Sequence, residues 1–414
     1  MKTNRYLDDL ETRPPEVRER QIFNQLREQL DNAKCNAPYF SRLLSDFGAH
    51  EVPDRAALAQ LPITRKSDLI SLQRNELPFS GMTAVPLGRL ARVFASPGPI
   101  YDPQGDRRDY WGFARALYAA GFREGELVHN TFSYHFTPAG FMMDLAAQVI
   151  GCPVFPAGTG QTELQVQAIS DLRPVCYAGT PSFLRIILEK ADETGTDVSS
   201  LHRAAVSGEA FLPPMREMLA NRGIAAFQSY GTADLGLVAY ETDAREGLVV
   251  DEGVIVEIVR PGTGDPVDAG EVGEVVVTAL TPDYPLIRFA TGDLSAVLPG
   301  ISPCGRTNMR IRGWMGRADQ TTKVKGMFVH PSQVAEVTRR HPEILKARLT
   351  VTHDDSQTDE MTLACEVTEP DADLTGRIGA SVREICKLRG EIRLVKPGTL
   401  PNDGKVIEDL RKYD

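Results

Sequence analysis

The chain is poor in cysteine and tryptophan, with six Cys and two Trp in 414 residues. Cys35, Cys152, Cys176, Cys304, Cys365 and Cys386 stand apart, without a close pair at zinc-site or redox spacing, so they read as reduced and mostly structural. No apolar run reaches the ~20 residues that span a bilayer. Met1-Lys2-Thr3-Asn4-Arg5 leads into charged sequence rather than a signal-peptide core, so a cytoplasmic protein without a membrane partner is expected. Basic charge is not in excess either. With 46 Lys and Arg against 56 Asp and Glu the net charge is -10, which argues against nucleic acid as the main partner but leaves room for a local basic pocket. Internal repeats and low-complexity tracts are absent.

What remains is an ordinary globular composition, 42% hydrophobic and 25% charged, over a length beyond that of one usual domain. Ile22, Phe23, Leu26 and Leu30 fall on one face of an amphipathic helix spanning Pro14 to Lys34. From Leu127 to Gln228 short apolar runs alternate with helical patterns, which predicts a parallel sheet with covering helices. One of these helices opens at Thr180-Pro181, an N-cap residue followed by a proline in the first turn, where its missing N–H costs nothing. After Gly236 the texture changes. Strand-like Gly253 to Val259 and Gly273 to Thr278, joined by a Gly/Pro/Asp-rich stretch, predict an antiparallel, barrel-like subdomain. Beyond Asp319, short strands and two helices predict a small α+β domain.

Four short motifs follow one another along this framework. They are Ser229-Tyr230-Gly231-Thr232-Ala233-Asp234-Leu235-Gly236, Arg288-Phe289-Ala290-Thr291-Gly292-Asp293, Gly316-Arg317-Ala318-Asp319 and Leu400-Pro401-Asn402-Asp403-Gly404-Lys405. Each alone is weak. In this order and at these separations the set resembles the adenylate-forming (acyl-CoA synthetase) superfamily, and within it the phenylacetate-CoA ligase-like branch. The likeness runs from Pro38-Tyr39-Phe40 to Lys405.

The resemblance implies roles. Asp293 matches the carboxylate that accepts both ribose hydroxyls, and Arg317 a second ribose or phosphate contact. Asp319 matches the hinge of a mobile C-terminal domain. Lys325 and Gly326 lie in the loop that lines the pantetheine channel in the family, and Lys405 matches the catalytic lysine, a cation placed where charge develops at the α-phosphate. Ser207, Gly208 and Glu209 follow a predicted strand at the carboxyl end, where ligands bind open α/β sheets, and resemble the segment whose backbone lies along adenine. Ser229, Tyr230, Gly231 and Thr232 complete the nucleotide set, with Asp234 as the magnesium ligand. Phe132, Tyr134, His135 and Phe136 resemble the aromatic stretch at the acid pocket, and four rings in five positions favour a flat, aromatic acid. Pro303-Cys304-Gly305-Arg306 also matches a branch segment, but without companion cysteines it predicts no zinc.

The chain departs from the branch at phosphate and metal. Where the family has a Ser/Thr/Gly-rich stretch ending Gly-Lys-Pro, this sequence reads Ala95-Ser96-Pro97-Gly98-Pro99-Ile100-Tyr101-Asp102-Pro103, just before a predicted helix from Asp109 to Ala120. Two prolines remove N–H donors, and Asp102 stands at the lysine position. A charge pair at 4 Å is worth about 4 kcal/mol at an effective dielectric of about 20, so an acid facing triphosphate would weaken binding. Either Asp102 points away and Arg107 or Arg108 supplies the charge, or the loop does not hold triphosphate in the usual manner. The branch's Tyr-Gly-Leu-Ser/Thr-Glu is here Tyr230-Gly231-Thr232-Ala233-Asp234, with a shorter metal-ligand candidate.

The expected fold is thus α/β, with an N-terminal nucleotide- and acid-binding domain over 1–318 and a mobile α+β domain over 319–414. The implied reaction joins an aromatic or arylacetic acid to coenzyme A through an acyl-adenylate, using ATP, Mg2+ and coenzyme A. Transfer to a carrier-protein pantetheine or an amine, and a non-catalytic nucleotide- or acyl-CoA-binding protein, are the alternatives. A homodimer is compatible with the sequence, which does not specify the oligomeric state.

Overall fold

The computed structural model describes residues 5–96, 100–260, 264–318, 322–325, 327–354, 358–369, 373–401 and 406–411. The chain forms two compact units, 1–291 with 295–314, and 292–294 with 315–414.

The larger unit is organised around a nine-stranded sheet. Five of its strands run parallel, in the spatial order Val154–Pro156, Val128–Asn130, Cys176–Gly179, Arg203–Val206, Ala225–Thr232. These strands are short apolar runs, and all but the last are followed by a helix that crosses back over the sheet. In Pro181–Thr194, Leu184, Ile187, Leu188 and Ala191 are buried at helical spacing. Thr180 caps this helix, its hydroxyl oxygen accepting from the Phe183 N–H at 3.3 Å. Beyond Thr232 the chain reverses, and Gly236–Glu241 pairs antiparallel with Ser229 to Thr232 across a register shift at Tyr230/Gly231.

The antiparallel region expected after Gly236 is divided between two sheets. Leu248–Val250, Arg310–Ile311 and Val297–Leu298 extend the large sheet, whereas Val254–Val259 and Gly273–Ala279 join Phe289–Ser295 and Thr64–Arg65 in a separate four-stranded sheet. The N-terminal helix Pro15–Asn36 buries Ile22, Phe23, Leu26, Leu30 and Ala33 against this region. Each of the four larger side chains contributes about 1.5–3 kcal/mol on leaving water. Arg18 and Glu252 form a buried ion pair at 2.9 Å, and the Arg18 guanidinium also donates to Thr307 Oγ1 and the Leu10 carbonyl. Those extra acceptors offset the desolvation cost of burying charge.

The smaller unit is α+β. Its sheet has the order Glu391–Val395, Asp359–Val367, Ile344–His353, Ile407–Asp409, covered by helices Pro331–Arg340 and Leu374–Cys386. Val334, Val337, Leu349, Val351, Leu363, Ile378 and Val382 make its core. A separate hairpin pairs Thr322–Val324 with Met327–Val329. All six cysteines are free, and only Cys35 is exposed. Among the described residues no helix is long and apolar enough to cross a membrane.

One helix is shorter than its periodicity suggests. The segment expected to be helical from Asp109 is helical only over Phe113–Ala119, because Gly112 adopts a left-handed φ of 77° and Asp109 folds back over the turn. The Asp109 carboxylate accepts from the Ala114 N–H at 3.0 Å. Burial, with the Asp251 carboxylate adding to it against Arg115, raises the Asp109 carboxyl from 3.8 to about 6. The folded chain therefore holds a proton that the unfolded chain has released, so stability falls as pH rises from about 4 to about 6. Asp109→Asn should remove this fall: in chemical denaturation the variant's advantage over the parent should grow by on the order of 2 kcal/mol between pH 4 and pH 7. A pH-independent difference would show that Asp109 does not titrate across that range.

Candidate functional site

Strands that run parallel end at the same edge of their sheet, and two of the expected nucleotide segments leave that edge together. Ser207 follows Arg203–Val206, its N–H donates to the Gly179 carbonyl at 3.2 Å, and its hydroxyl donates to the Ser229 carbonyl at 2.9 Å. Gly208 turns the chain with a φ of 86°. The Glu209 carboxylate accepts from the Ser182 N–H at 2.6 Å, in the first turn of Pro181–Thr194, where the helix dipole favours an anion. Gly231 is tightly enclosed: a Cβ there would stand 2.6 Å from the Gly236 carbonyl oxygen and 2.8 Å from the Phe113 ring. Tyr230 donates to Thr291 Oγ1 at 3.2 Å, and Thr291 donates in turn to the Val275 carbonyl at 3.0 Å. Thr232 accepts from the Leu235 N–H at 3.1 Å, which closes the turn carrying Asp234.

In the smaller unit Asp293 and Arg317 face each other across an isolated bridge, with Arg317 Nη1 donating to Asp293 Oδ1 at 3.2 Å. The two expected ribose contacts thus form a preorganised pair. Lys325 sits at the hairpin tip with a φ of 47°, its N–H donating to Asp359 Oδ2 at 2.6 Å. Lys405, Asp319 and Gly326, and Pro97 to Pro99 of the phosphate loop, lie outside the described residues.

The aromatic stretch does not form a single wall. Phe132 is buried, and a Cβ at Gly208 would lie 3.8 Å from its ring. Tyr134 accepts from Asn130 Nδ2 at 2.8 Å, donates to Asp144 Oδ2 at 3.0 Å and packs edge-on against Phe141. His135 is exposed, and Phe136 is 81% exposed with a φ of 61°, its carbonyl accepting from the Ala95 N–H at 2.8 Å. Of the four expected pocket rings, Phe132 and Tyr134 are packed inward. His135 and Phe136 stand in solvent.

The phosphate segment differs most from its sequence reading. Arg92–Ser96 and Ile100–Gln104 are an antiparallel hairpin with Phe94 opposite Asp102. Asp102 points inward and is fully buried. Asp234, Lys66 and Ser96 are the polar groups around it; burial first, then the Asp234 carboxylate, push its carboxyl well above the usual carboxylate range. The two departures from the branch are therefore neighbours. Asp234 Oδ2 accepts from Lys66 Nζ at 2.5 Å, and its side chain is wholly buried. Arg107, one of the two cations considered for the phosphates, lies against the Tyr110 ring and 4.0 Å from Asp283.

These contacts bear on magnesium. Mg2+ requires near-octahedral oxygen coordination and retains several waters. The Asp234 carboxylate has one oxygen on an ammonium and no exposed surface, so it does not fit that demand. Among the described residues no three His, Cys, Asp or Glu side chains form a metal-binding group. Lys66 is a neighbour of the nucleotide motif that the sequence reading missed. Its signal is faint, a single lysine after the short strand Thr64–Arg65, and only the parallel pairing of that strand with Phe289–Ala290 brings it to the edge where Thr291 emerges.

The chain is similar to known proteins over nearly its full length. Residues 112–280 match the family model described as AMP-binding enzyme. Phenylacetate-coenzyme A ligase of Thermus thermophilus is 30% identical, covering 98% of this chain and 100% of that protein. The enzyme of the same name from Aromatoleum evansii is 32% identical over 85% of this chain and 82% of its own, and that of Escherichia coli 29% over 99% of each. Among solved structures, 2-hydroxyisobutyryl-CoA ligase in an open conformation with 2-HIB-AMP and CoA superposes with a TM-score of 0.87 at 22% identity, covering 98% of this chain and 95% of that one. At that identity the likeness speaks for the fold.

The Ser207 to Ser229 contact joins two of the strand ends that build the site. Removing it in Ser207→Ala should lower the free energy of unfolding by about 1 kcal/mol in chemical denaturation. A variant as stable as the parent would show that the two segments are held together by other means.

Proposed function

The chain belongs to the phenylacetate-coenzyme A ligase family of adenylate-forming enzymes, and on that premise we propose that it activates an aromatic or arylacetic carboxylic acid. The observation that carries the reading is end-to-end similarity to a ligase of that name, 30% identical over 98% of this chain. In the first half-reaction a carboxylate oxygen of the acid attacks the α-phosphorus of ATP and pyrophosphate leaves, giving acyl-AMP. In the second, the coenzyme A thiol loses its proton and attacks the acyl carbonyl, the thioester forms and AMP leaves.

Roles are assigned on this reading. Asp293 and Arg317 hold the ribose, a role supported by their pairing at 3.2 Å. Ser207 to Glu209 and Ser229 to Thr232 lie along the nucleotide, Phe132 and Tyr134 border the acid, and Lys325 and Gly326 line the coenzyme A channel. Asp319 serves as the hinge between the two half-reactions, at the start of a mobile domain over 319–414. Lys405 contributes by electrostatics alone, its ammonium stabilising charge that develops at the carboxylate and α-phosphate during adenylation. Magnesium enters with the triphosphate. A flat ring suits an acid site bordered by Phe132 and Tyr134, since aromatic pairs stack or meet edge to face.

Acid-dependent exchange of labelled pyrophosphate into ATP, across a panel of aryl and arylacetic acids, tests the first half-reaction. At least one acid should support exchange and, once coenzyme A is added, thioester formation. Lys405→Ala should slow acyl-AMP formation by about 10²-fold or more while sparing thioester formation from supplied acyl-AMP. Equal loss in both halves would remove Lys405 from its role. No exchange with any acid, despite AMP binding by calorimetry, would replace ligation with nucleotide binding as the function.

A further inference from the structure

The charge inversion at Asp102 and the shortened acid at Asp234 are far apart in sequence but adjacent in the fold. Asp234 is buried with Oδ2 on Lys66 Nζ at 2.5 Å. Asp102 lies behind it in the hairpin strand Ile100–Gln104, fully buried, its carboxyl beside the Asp234 carboxylate and the Ser96 hydroxyl. The buried phenols Tyr284 and Tyr110 close the cluster. A lysine reaching into such a place would be costly unless an anion met it, and a buried carboxylate without a cation would be costly too.

We propose that Asp234 is a positioning residue in this chain and not a metal ligand: backed by Asp102, it holds the Lys66 ammonium beside the nucleotide motif. The metal that accompanies ATP is then bound through the triphosphate without a protein carboxylate from this turn. Two features of the geometry favour this arrangement. A metal ion at Asp234 Oδ2 would stand beside the Lys66 ammonium already bound there, two like charges at close range. Approach to Oδ1 is closed as well, because the whole side chain is without exposed surface and offers no room for the waters Mg2+ keeps. The aspartate found where the branch has a longer glutamate is consistent, being one methylene shorter and withdrawn to the depth of Asp102. On this view the two unusual residues are a matched pair.

The inference rests on the proposed use of ATP, but its test needs no turnover. Mn2+ binding is followed by electron paramagnetic resonance, with the protein saturated by an ATP analogue carrying an α,β-methylene bridge. For Asp234→Asn, half-saturation by Mn2+ should stay within about twofold of the parent, whereas loss of a true ligand weakens metal affinity by about 10–100-fold or more. Weakening of that size would overturn the proposal. Should Asp234→Asn fail to fold, Lys66→Ala on the nucleotide-free protein reads the same competition in reverse. Freed of its ammonium, the carboxyl pair should bind Mn2+ about tenfold or more tighter than the parent, and unchanged or weaker binding would overturn the proposal. A merely structural part for Lys66 predicts no gain in metal affinity. Failure of every acid in the exchange assay would leave both measurements intact, so loss of the ligase reading and loss of this one are told apart.

Discussion

Parallel strands release the chain at a common edge, and this constraint underlies the larger unit. The crossover helices Pro181–Thr194 and Pro213–Asn221 return the chain so that each new strand ends beside the last. Gly179, Ser207 and Ser229 therefore meet through backbone and hydroxyl contacts, although nearly 50 residues separate the first from the last. The short pairing of Thr64–Arg65 with Phe289–Ala290 applies the same rule in the second sheet, where Tyr230 reaches Thr291. Donors and acceptors used to join strand ends are fixed before any ligand arrives, which is the condition for electrostatic preorganisation.

Charge placement follows a second rule, that a buried ion must be paired. Arg18 with Glu252, Arg288 with Glu257 and Arg306 with Glu11 obey it in the core of the larger unit. Each guanidinium also donates to a further oxygen or sulfur, so the desolvated fork is largely satisfied. Lys66 and Asp234 obey the rule close to the nucleotide motif, with the acid fully enclosed and the lysine partly exposed. Asp102 departs from it. Its carboxyl is buried without a cation of its own, and raising its proton affinity is the physical answer to that burial.

Much of the fold was legible because periodicity survives in single segments. The alternation of short apolar runs and amphipathic helices between Leu127 and Gln228 requires no long-range knowledge, and Thr180-Pro181 announces a helix start by chemistry local to two residues. The motifs around Tyr230, Asp293 and Arg317 were legible through resemblance. Less legible was the helix expected from Asp109, since a left-handed Gly112 and a folded-back carboxylate interrupt a pattern that looks continuous. The directions of the four rings from Phe132 to Phe136 were not legible either. Their close spacing says nothing about direction, and a positive φ at Phe136 turns the last ring out into solvent while Tyr134 is held by Asn130 and Asp144.

By itself the sequence determined the class of architecture, the order of the nucleotide motifs and the absence of a lysine from the phosphate segment, because these are properties of residue type and spacing. Only the tertiary structure decided where Asp102 and Asp234 lie. Seen along the chain, the first looks like repulsion set against triphosphate and the second like a shortened metal ligand. Folded, a hairpin strand carries Asp102 inward beside Asp234, and a lysine from a distant strand end binds Asp234 Oδ2. The sign of a side chain is written in the sequence; which charges it faces, and how much water separates them, depends on strand pairings that join residues well over a hundred positions apart.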